Sequence, residues 1–167
     1  CNEPNGDEVT WDGEIKPYAE TVIAAIRARD PDNVIIVGTP TWSQDVDKAA
    51  DNPITGYDNI MYTLHFYAGT HGKPLMDKAE YAMSKGLAIF VTEWGTTLAT
   101  GDQFKPDMTV PWIEFMDRHQ ISWANWSVAN DGKDSCVLAY NADREGKGSW
   151  SDDQLTPSGK FVRGLLR

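Results

Sequence analysis

The chain has 167 residues, of which 41% are hydrophobic and 24% charged, a composition that is typical of a folded domain and excludes a disordered one. The net charge of −10 at pH 7 argues against a nucleic-acid partner and suits a secreted protein that acts on neutral polymers. No apolar run approaches the roughly 20 residues of a membrane-crossing helix, so no membrane partner is expected.

Four short apolar runs predict β-strands. Continuous apolar runs of this kind are typical of strands that are covered on both faces, as in parallel sheets. The predicted strands are residues 34–37, 60–66, 87–92 and 121–128.

Amphipathic segments between these runs predict helices. The first helix ends before Asp30-Pro31, and Gly86 is the predicted C-terminal cap of the second. The predicted helices are residues 15–26, 75–83, 112–116 and 158–166, with a short helix near 46–50.

The spacing of the predicted strands favours half of a barrel. Their starts are about 26, 27 and 34 residues apart, which is the repeat length of a βα unit. Four such units correspond to about half of a (β/α)8 barrel of ~250 residues. The sequence therefore predicts an α/β fold, with one domain over residues 1–167.

Two glutamates lie where a barrel of this kind places its chemistry, at the carboxyl ends of strands. Glu93 follows a predicted buried strand, and Glu3 lies in a turn punctuated by Pro4 and Gly6. A pair of carboxylates is what the cleavage of a glycosidic bond requires, one as proton donor and the other as nucleophile or stabiliser. The alternative for either residue is an ordinary surface glutamate.

Five motifs in order along the chain resemble the family-five cellulases. They are NEPNG (2–6), TPTWSQ (39–44), LHFYA (64–68), TEWG (92–95) and NWS (125–127). The resemblance implies the C-terminal half of a (β/α)8 TIM barrel, from the end of strand four through helix eight. It implies a retaining endo-β-1,4-glucanase, with β-glucan or cello-oligosaccharide as substrate and no cofactor or metal.

The resemblance also implies a role for each matching residue. Glu3 would be the general acid/base and Glu93 the nucleophile, with carboxyl groups about 5 to 5.5 Å apart. The other implied roles are sugar contacts: Asn2 on the 2-hydroxyl, Trp42 stacking on the leaving-group side, His65 and Tyr67 in the cleavage subsite, Trp126 as the platform there, and Lys133 after the last strand.

Several aromatic and titratable residues could also have no role beyond packing or a surface position. His65 could be a core histidine, Trp11 and Trp150 are expected to pack locally, and His71 and His119 are expected at the surface. The histidines lie in separate segments and predict no metal site. Nothing in the spacing of the two cysteines, Cys1 and Cys136, favours a disulfide or a metal site.

Half of a barrel exposes two sheet edges and an apolar interior. We therefore expect a partner, either a complementary N-terminal half-barrel or a swapped copy, and no contact within this chain that holds the segment around Glu3. Mannanase, xyloglucanase and lichenase activities remain alternatives, as does an inactive module that only binds sugar or assembles.

Overall fold

The computed structural model describes residues 1–143 and 149–166. It contains one four-stranded parallel sheet with neighbouring strands in chain order. The strands are β1 (Ile35–Val37), β2 (Ile60–Tyr67), β3 (Ile89–Gly95) and β4 (Trp123–Asn125). In the first pair, Ile35 lies opposite Ile60 and Val37 opposite Tyr62. The α/β class and the parallel sheet predicted from the apolar runs are confirmed.

Two strands, β3 and β4, differ from the prediction by more than one residue at their ends. β3 runs on to Gly95, so Glu93 lies inside the strand rather than after it. β4 is only three residues long, because Ile121 is used to end the preceding helix through a hydrogen bond from its backbone N–H to the Met116 carbonyl. On the other side of β4, the Ser127 backbone pairs with the loop residues Ser135 and Val137.

The predicted helices are present with small shifts. The first is preceded by a π-helical turn over Trp11–Ile15. Gly86 ends the second predicted helix with φ +91°, and the Leu87 N–H reaches back to the Ala82 carbonyl, as in a Schellman cap. The helices are α1 (Lys16–Arg27), α2 (Pro40–Ser43), α3 (Val46–Asp51), α4 (Lys73–Ser84), α5 (Pro106–Arg118) and α6 (Pro157–Leu165), with a 3-10 turn at Asp152–Gln154.

The chain divides into two compact units. Unit 1 comprises Cys1–His65 and Lys73–Thr92, and unit 2 comprises Phe66–Gly72 and the described residues from Glu93 onward. In unit 1, α3 packs on α4, and Trp11 is buried with its ring 5.8 Å from that of Tyr62. The indole N–H of Trp11 donates to the Asn52 carbonyl, which confirms the local packing role predicted for this residue.

Unit 2 is built around stacked aromatic rings. Phe66 stacks on Trp112 with ring centroids 3.8 Å apart, and Trp94 lies on Phe66 at 5.8 Å. A smaller cluster of Leu138, Ala142 and Leu155 holds Trp150, whose local packing role is also confirmed.

The two histidines predicted at the surface are only partly exposed. His71 is half-buried in unit 2, where its Nδ1 accepts a hydrogen bond from the Tyr67 N–H and its carbonyl accepts one from the Trp112 indole. Burial lowers the pKa of His71. His119 is also half-buried, with its ring 4.7 Å from that of Phe115. The prediction was only partly right, because flanking polar residues masked the aromatic neighbours supplied by α5.

Both cysteines are free thiols. Cys1 is exposed, whereas Cys136 is buried and contacts Asp131, and burial raises the pKa of its thiol. Among residues 1–143 and 149–166, no helix has the length and apolar character that crossing a membrane would require.

Candidate active site

The segment that carries Glu3 is held in place within unit 1. The Ser43 hydroxyl donates to the Asn2 carbonyl at 2.7 Å, and the Trp42 N–H donates to the Pro4 carbonyl at 3.0 Å. The carbonyls on both sides of Glu3 are therefore bound by two consecutive residues of α2. The expectation that no contact in this chain holds the segment was wrong, because the partners lie about 40 residues away in sequence.

Gly38 makes this approach possible. A Cβ atom at this position would lie 2.4 Å from the Cys1 carbonyl oxygen and 3.0 Å from the Pro4 ring. A contact as short as 2.4 Å does not occur at a real Cβ, so any larger residue would push the first four residues away from the end of β1. The glycine after β1 thus sets the position of the NEP motif.

The Glu3 carboxylate contacts a buried histidine. Its Oε1 lies 2.8 Å from Nδ1 of His65, which is 2% exposed, whereas about a third of the Glu3 side chain is exposed. The carboxyl group therefore has one oxygen on a protein partner while the side chain remains accessible to a ligand. His65 is a buried histidine as well as a site residue, so its two interpretations are compatible.

The other ring nitrogen of His65 is engaged by a threonine. Nε2 lies 2.8 Å from Oγ1 of Thr92, and that hydroxyl in turn contacts the hydroxyl of Thr63. Thr63 is buried, and its carbonyl accepts a hydrogen bond from the Thr39 hydroxyl at 3.3 Å. A continuous chain of polar side chains therefore leads from β2 and β3 to Glu3 inside unit 1.

Trp42 lies in a left-handed turn. Thr41, Trp42 and Ser43 have φ of 57°, 54° and 59°, a conformation that costs non-glycine residues roughly 1–2 kcal/mol each. The Thr41 hydroxyl donates to Asp45 at 2.7 Å, and Asp45 also pairs with Lys78 of α4. The anchored turn leaves the Trp42 side chain half exposed.

A cleft of about 770 Å³ opens beside Trp42 in unit 1. Its lining combines the tryptophan ring with polar groups, among them Asn5, Thr10, Asp12, Asp45 and Lys48. A flat aromatic surface edged by carboxylate, amide and hydroxyl groups is suited to a sugar, whose faces are apolar and whose rim is polar.

In unit 2, Glu93 is buried and has a defined donor. The Tyr67 hydroxyl donates to its Oε1 at 2.8 Å, and the glutamate is 8% exposed. The absence of a side chain at Gly95 leaves room for the tyrosine ring, since a Cβ at Gly95 would lie 2.4 Å from Cδ1 of Tyr67. Tyr67 thus belongs to the LHFYA motif, whereas Glu93 and Gly95 both belong to the TEWG motif.

The NWS segment is tied to the residue after Glu93. The Trp126 N–H and the Asn125 side-chain amide both donate to the Trp94 carbonyl, each at 2.9 Å. Trp94 is fully buried, whereas Trp126 is half exposed. The anchored backbone therefore presents the Trp126 side chain outward from a fixed point in unit 2.

Lys133 has a partner other than the predicted site residues. Its ammonium lies 3.1 Å from Asp102, and both side chains are half exposed. An exposed ion pair of this kind contributes little to stability, so it also leaves the lysine able to exchange partners. The Asn2 side chain is exposed, and it is the Asn2 backbone that is bound.

Sequence reasoning missed four residues that organise these groups. Thr92 and Gly95 lie inside the TEWG motif, and Ser43 inside TPTWSQ, so their membership of the motifs was the available signal. Thr63 had no such signal, because threonine is common in β-strands and its presence in a predicted strand does not indicate a site. Their contacts join positions 27 to 41 residues apart.

Comparison with known proteins supports a single family. The sequence model described as "Cellulase (glycosyl hydrolase family 5)" matches residues 1–132. Endoglucanase A of Evansella cellulosilytica is 54% identical over 169 residues, covering 100% of this chain and 34% of its own length. An endoglucanase of Clostridium saccharobutylicum is 55% identical, with 98% and 36% covered.

Solved structures agree with the sequence relatives. The cellulase Cel5C_n superposes with a TM-score of 0.92 at 50% identity, covering 99% of this chain and 50% of its own. A variant of the Thermobifida fusca endoglucanase Cel5A catalytic domain, solved in complex with cellotetraose, superposes with a TM-score of 0.89 at 38% identity, covering 99% and 55%. The half-barrel fold class is thereby confirmed. The chain spans about a third of the length of the curated relatives and about half of the solved chains.

Proposed function

The chain belongs to the cellulase family, glycosyl hydrolase family 5, and from that premise we propose that it supplies the two catalytic carboxylates of an endo-β-1,4-glucanase. The observation that carries the proposal is that each of the two glutamates is held by a defined side-chain partner. Glu93 is buried against the Tyr67 hydroxyl, and Glu3 contacts buried His65 with one oxygen.

The proposed mechanism is a double displacement with retention. Glu93 attacks the anomeric carbon and forms a glycosyl ester, while Glu3 gives its proton to the leaving oxygen. Glu3 then takes a proton from water, which attacks the anomeric carbon of the glycosyl ester and breaks its bond to Glu93. The hydrogen bond that Tyr67 donates to Oε1 of Glu93 orients the carboxyl group that acts as nucleophile. The mechanism requires carboxyl groups about 5 to 5.5 Å apart.

Exposed tryptophans are the proposed sugar platforms. Trp42 faces a cleft with polar edges, and we assign it to the leaving-group side. Trp126 and the Asn2 amide are assigned to the cleavage subsite, Asn2 to the sugar 2-hydroxyl. Lys133 would have to leave Asp102 in order to reach substrate.

The proposed substrate is β-1,4-glucan, such as cellulose or a cello-oligosaccharide. The names of the endoglucanase relatives and the cellotetraose complex of a 38% identical structure support this choice. Mannan, xyloglucan and mixed-linkage glucan are the alternatives. Since such polymers lie outside cells, we further propose that the protein is secreted, which its charge of −10 suits.

A complementary half-barrel is the proposed partner. In unit 1, Ile36 of the edge strand β1 and Val34 just before that strand are exposed, and α1 exposes Tyr18 and Val22. In unit 2, which holds the other edge strand β4, an apolar cavity of about 500 Å³ is lined by residues that include Trp123, Val137, Trp150 and Val162. Apolar surface of this extent is typical of a face that another chain segment covers.

Hydrolysis of carboxymethylcellulose tests the proposal. The chain would be assayed alone and after coexpression with the N-terminal half of its Clostridium saccharobutylicum relative, with Glu93→Gln and Glu3→Gln prepared alongside. We expect activity in the reconstituted pair, and its loss in both variants. A 2-fluoro cellobioside with an activated leaving group should label Glu93, as detected by peptide mass spectrometry.

Three outcomes would contradict parts of the proposal. Turnover that survives in Glu93→Gln would remove the assigned nucleophile. Full activity and a sharp cooperative melt of the chain alone, as a monomer by light scattering, would remove the need for a partner. Sugar binding without turnover in the reconstituted pair would indicate a binding module that presents Trp42 and Trp126.

A further inference from the structure

Both ring nitrogens of His65 have polar partners, which constrains where its proton lies. Nδ1 is 2.8 Å from Glu3 Oε1, and Nε2 is 2.8 Å from Thr92 Oγ1. The ring is 2% exposed. A neutral imidazole has one N–H donor and one lone-pair acceptor, so the groups that contact Nδ1 and Nε2 constrain its tautomer.

The partners favour one direction along the whole chain of hydrogen bonds. An ionised carboxylate only accepts, so ionised Glu3 pairs with a proton on Nδ1, whereas a protonated Glu3 could instead donate to Nδ1. A Thr92 hydroxyl that donates to Nε2 places the lone pair there and keeps the proton on Nδ1 with either form of Glu3. The Thr92 oxygen is left as an acceptor, and the Thr63 hydroxyl that contacts it can donate. Every member of the chain from Thr63 to Glu3 is satisfied in this direction.

We propose that Thr92 is a positioning residue that holds His65 in the Nδ1–H tautomer and thereby directs the acidic proton of Glu3 to Oε2. Glu3 Oε1 accepts from His65 whether the carboxyl group is ionised or protonated, because a protonated carboxyl keeps one acceptor oxygen. The proton that Glu3 gives to the leaving group is then carried by the other oxygen. This inference rests on the proposed function, in which Glu3 is the general acid.

Thr92 acts through His65 and not on substrate, so its loss has a particular signature. Thr92→Val keeps the shape of the side chain and removes the donor to Nε2. The ring is then able to exchange tautomers, and an Nε2–H form no longer donates to Glu3. Thr92→Ser keeps the hydroxyl and should preserve the tautomer.

The deciding experiment is ¹⁵N NMR of the histidine rings in the intact chain at pH 7. The chain has three histidines, so His71→Asn and His119→Asn variants assign the signals. We expect one pyrrole-type signal at His65 Nδ1 and one pyridine-type signal at Nε2. In Thr92→Val, pyrrole-type intensity should appear at Nε2, and Thr92→Ser should resemble the parent. Thr109→Val is the matched control, because Thr109 of α5 is buried and its hydroxyl donates to the carbonyl of Lys105, the residue before that helix.

A kinetic comparison tests the part that concerns Glu3. Dinitrophenyl β-cellobioside needs no proton for its leaving group, whereas a cello-oligosaccharide does. In the active preparation, Thr92→Val should lose rate several-fold on the oligosaccharide and little on the activated substrate. Equal losses on both substrates would mean that Thr92 is merely structural and would overturn the inference.

The NMR result separates this inference from the proposed function. An Nε2–H or doubly protonated His65 in the parent, or an unchanged tautomer in Thr92→Val, would overturn the role of Thr92 even in an active enzyme. If Thr92→Val does not fold, the parent and Thr92→Ser spectra still decide the tautomer. Conversely, a locked tautomer in a reconstituted pair that cleaves no glycoside would leave the hold on His65 in place and refute the catalytic function.

Discussion

The Ser43 hydroxyl donates a hydrogen bond to the Asn2 carbonyl at 2.7 Å, joining two residues that are 41 positions apart in sequence. Its neighbour Trp42 binds the Pro4 carbonyl through its backbone N–H. Glu3 therefore lies between two carbonyls held by the same left-handed turn that presents the Trp42 ring. The position of the proposed acid and the position of a sugar platform are set by one local structure.

Replacement of Ser43 by alanine should loosen this structure. The variant removes the partner of the Asn2 carbonyl and the oxygen that the Thr39 N–H contacts at 3.3 Å, which should lower the free energy of unfolding by about 1–3 kcal/mol. Urea unfolding followed by tryptophan fluorescence measures the change. Ser84→Ala is the control, since its exposed hydroxyl donates to the Tyr81 carbonyl, and it should change stability by about 0.5 kcal/mol or less.

Loss of the Tyr67 hydroxyl should slow the chemistry more than it weakens the fold. Tyr67→Phe keeps the ring beside Gly95 and removes the donor to the Glu93 carboxylate. A hydrogen bond to a charged group contributes about 1.5–3 kcal/mol, so we expect a roughly 10- to 100-fold fall in kcat on cello-oligosaccharide. Steady-state kinetics of the reconstituted enzyme measures it. An unchanged kcat would show that this contact does not support the nucleophile.

Alanine at Gly95 should displace the same tyrosine by steric means. The new Cβ would lie 2.4 Å from the Tyr67 ring, and such overpacking costs about 1–3 kcal/mol. Gly72→Ala is the matched control in unit 2, because nothing lies within 4 Å of a Cβ there. Thermal melts of both variants should show a lowered Tm for Gly95→Ala only. A Gly95 variant as stable as the parent would mean that the ring relocates without cost.

The stability of the protein should depend on pH through His71. Burial lowers the pKa of His71 below its ordinary value of 6.5, so in mildly acidic solution the unfolded chain binds a proton that the folded chain does not. The stabilising contribution is full above about pH 6.5 and is lost as pH falls through the folded pKa.

His71→Asn is the matched variant for this effect, since its amide oxygen can accept from the Tyr67 N–H but cannot titrate. Chemical unfolding at several pH values between 5 and 8 should show that the free energy of unfolding falls less in acid for the variant than for the parent. Parallel curves for the two proteins would contradict the assignment to His71.

The order of the strands and helices was predictable because the sequence signals for each of them are local. The apolar runs that form β1 to β4 are continuous, and the cap at Gly86 depends on one glycine with φ +91°. The motifs around Glu3 and Glu93 could be recognised for the same reason. The ends of β3 and β4 were less predictable. Glu93 becomes part of β3, and Ile121 ends the helix before β4, only through contacts with neighbouring segments of the folded chain.

The sequence by itself therefore determined the parallel α/β architecture and the family, and it singled out the two glutamates as candidates, since these depend on composition and short motifs. Only the tertiary structure decided how each glutamate is held. The contacts of Thr92 with His65, of Ser43 with Asn2 and of Gly38 with Cys1 join residues that are tens of positions apart. A threonine, a serine and a glycine are common residues with no signal of their own, and folding alone gives them specific partners.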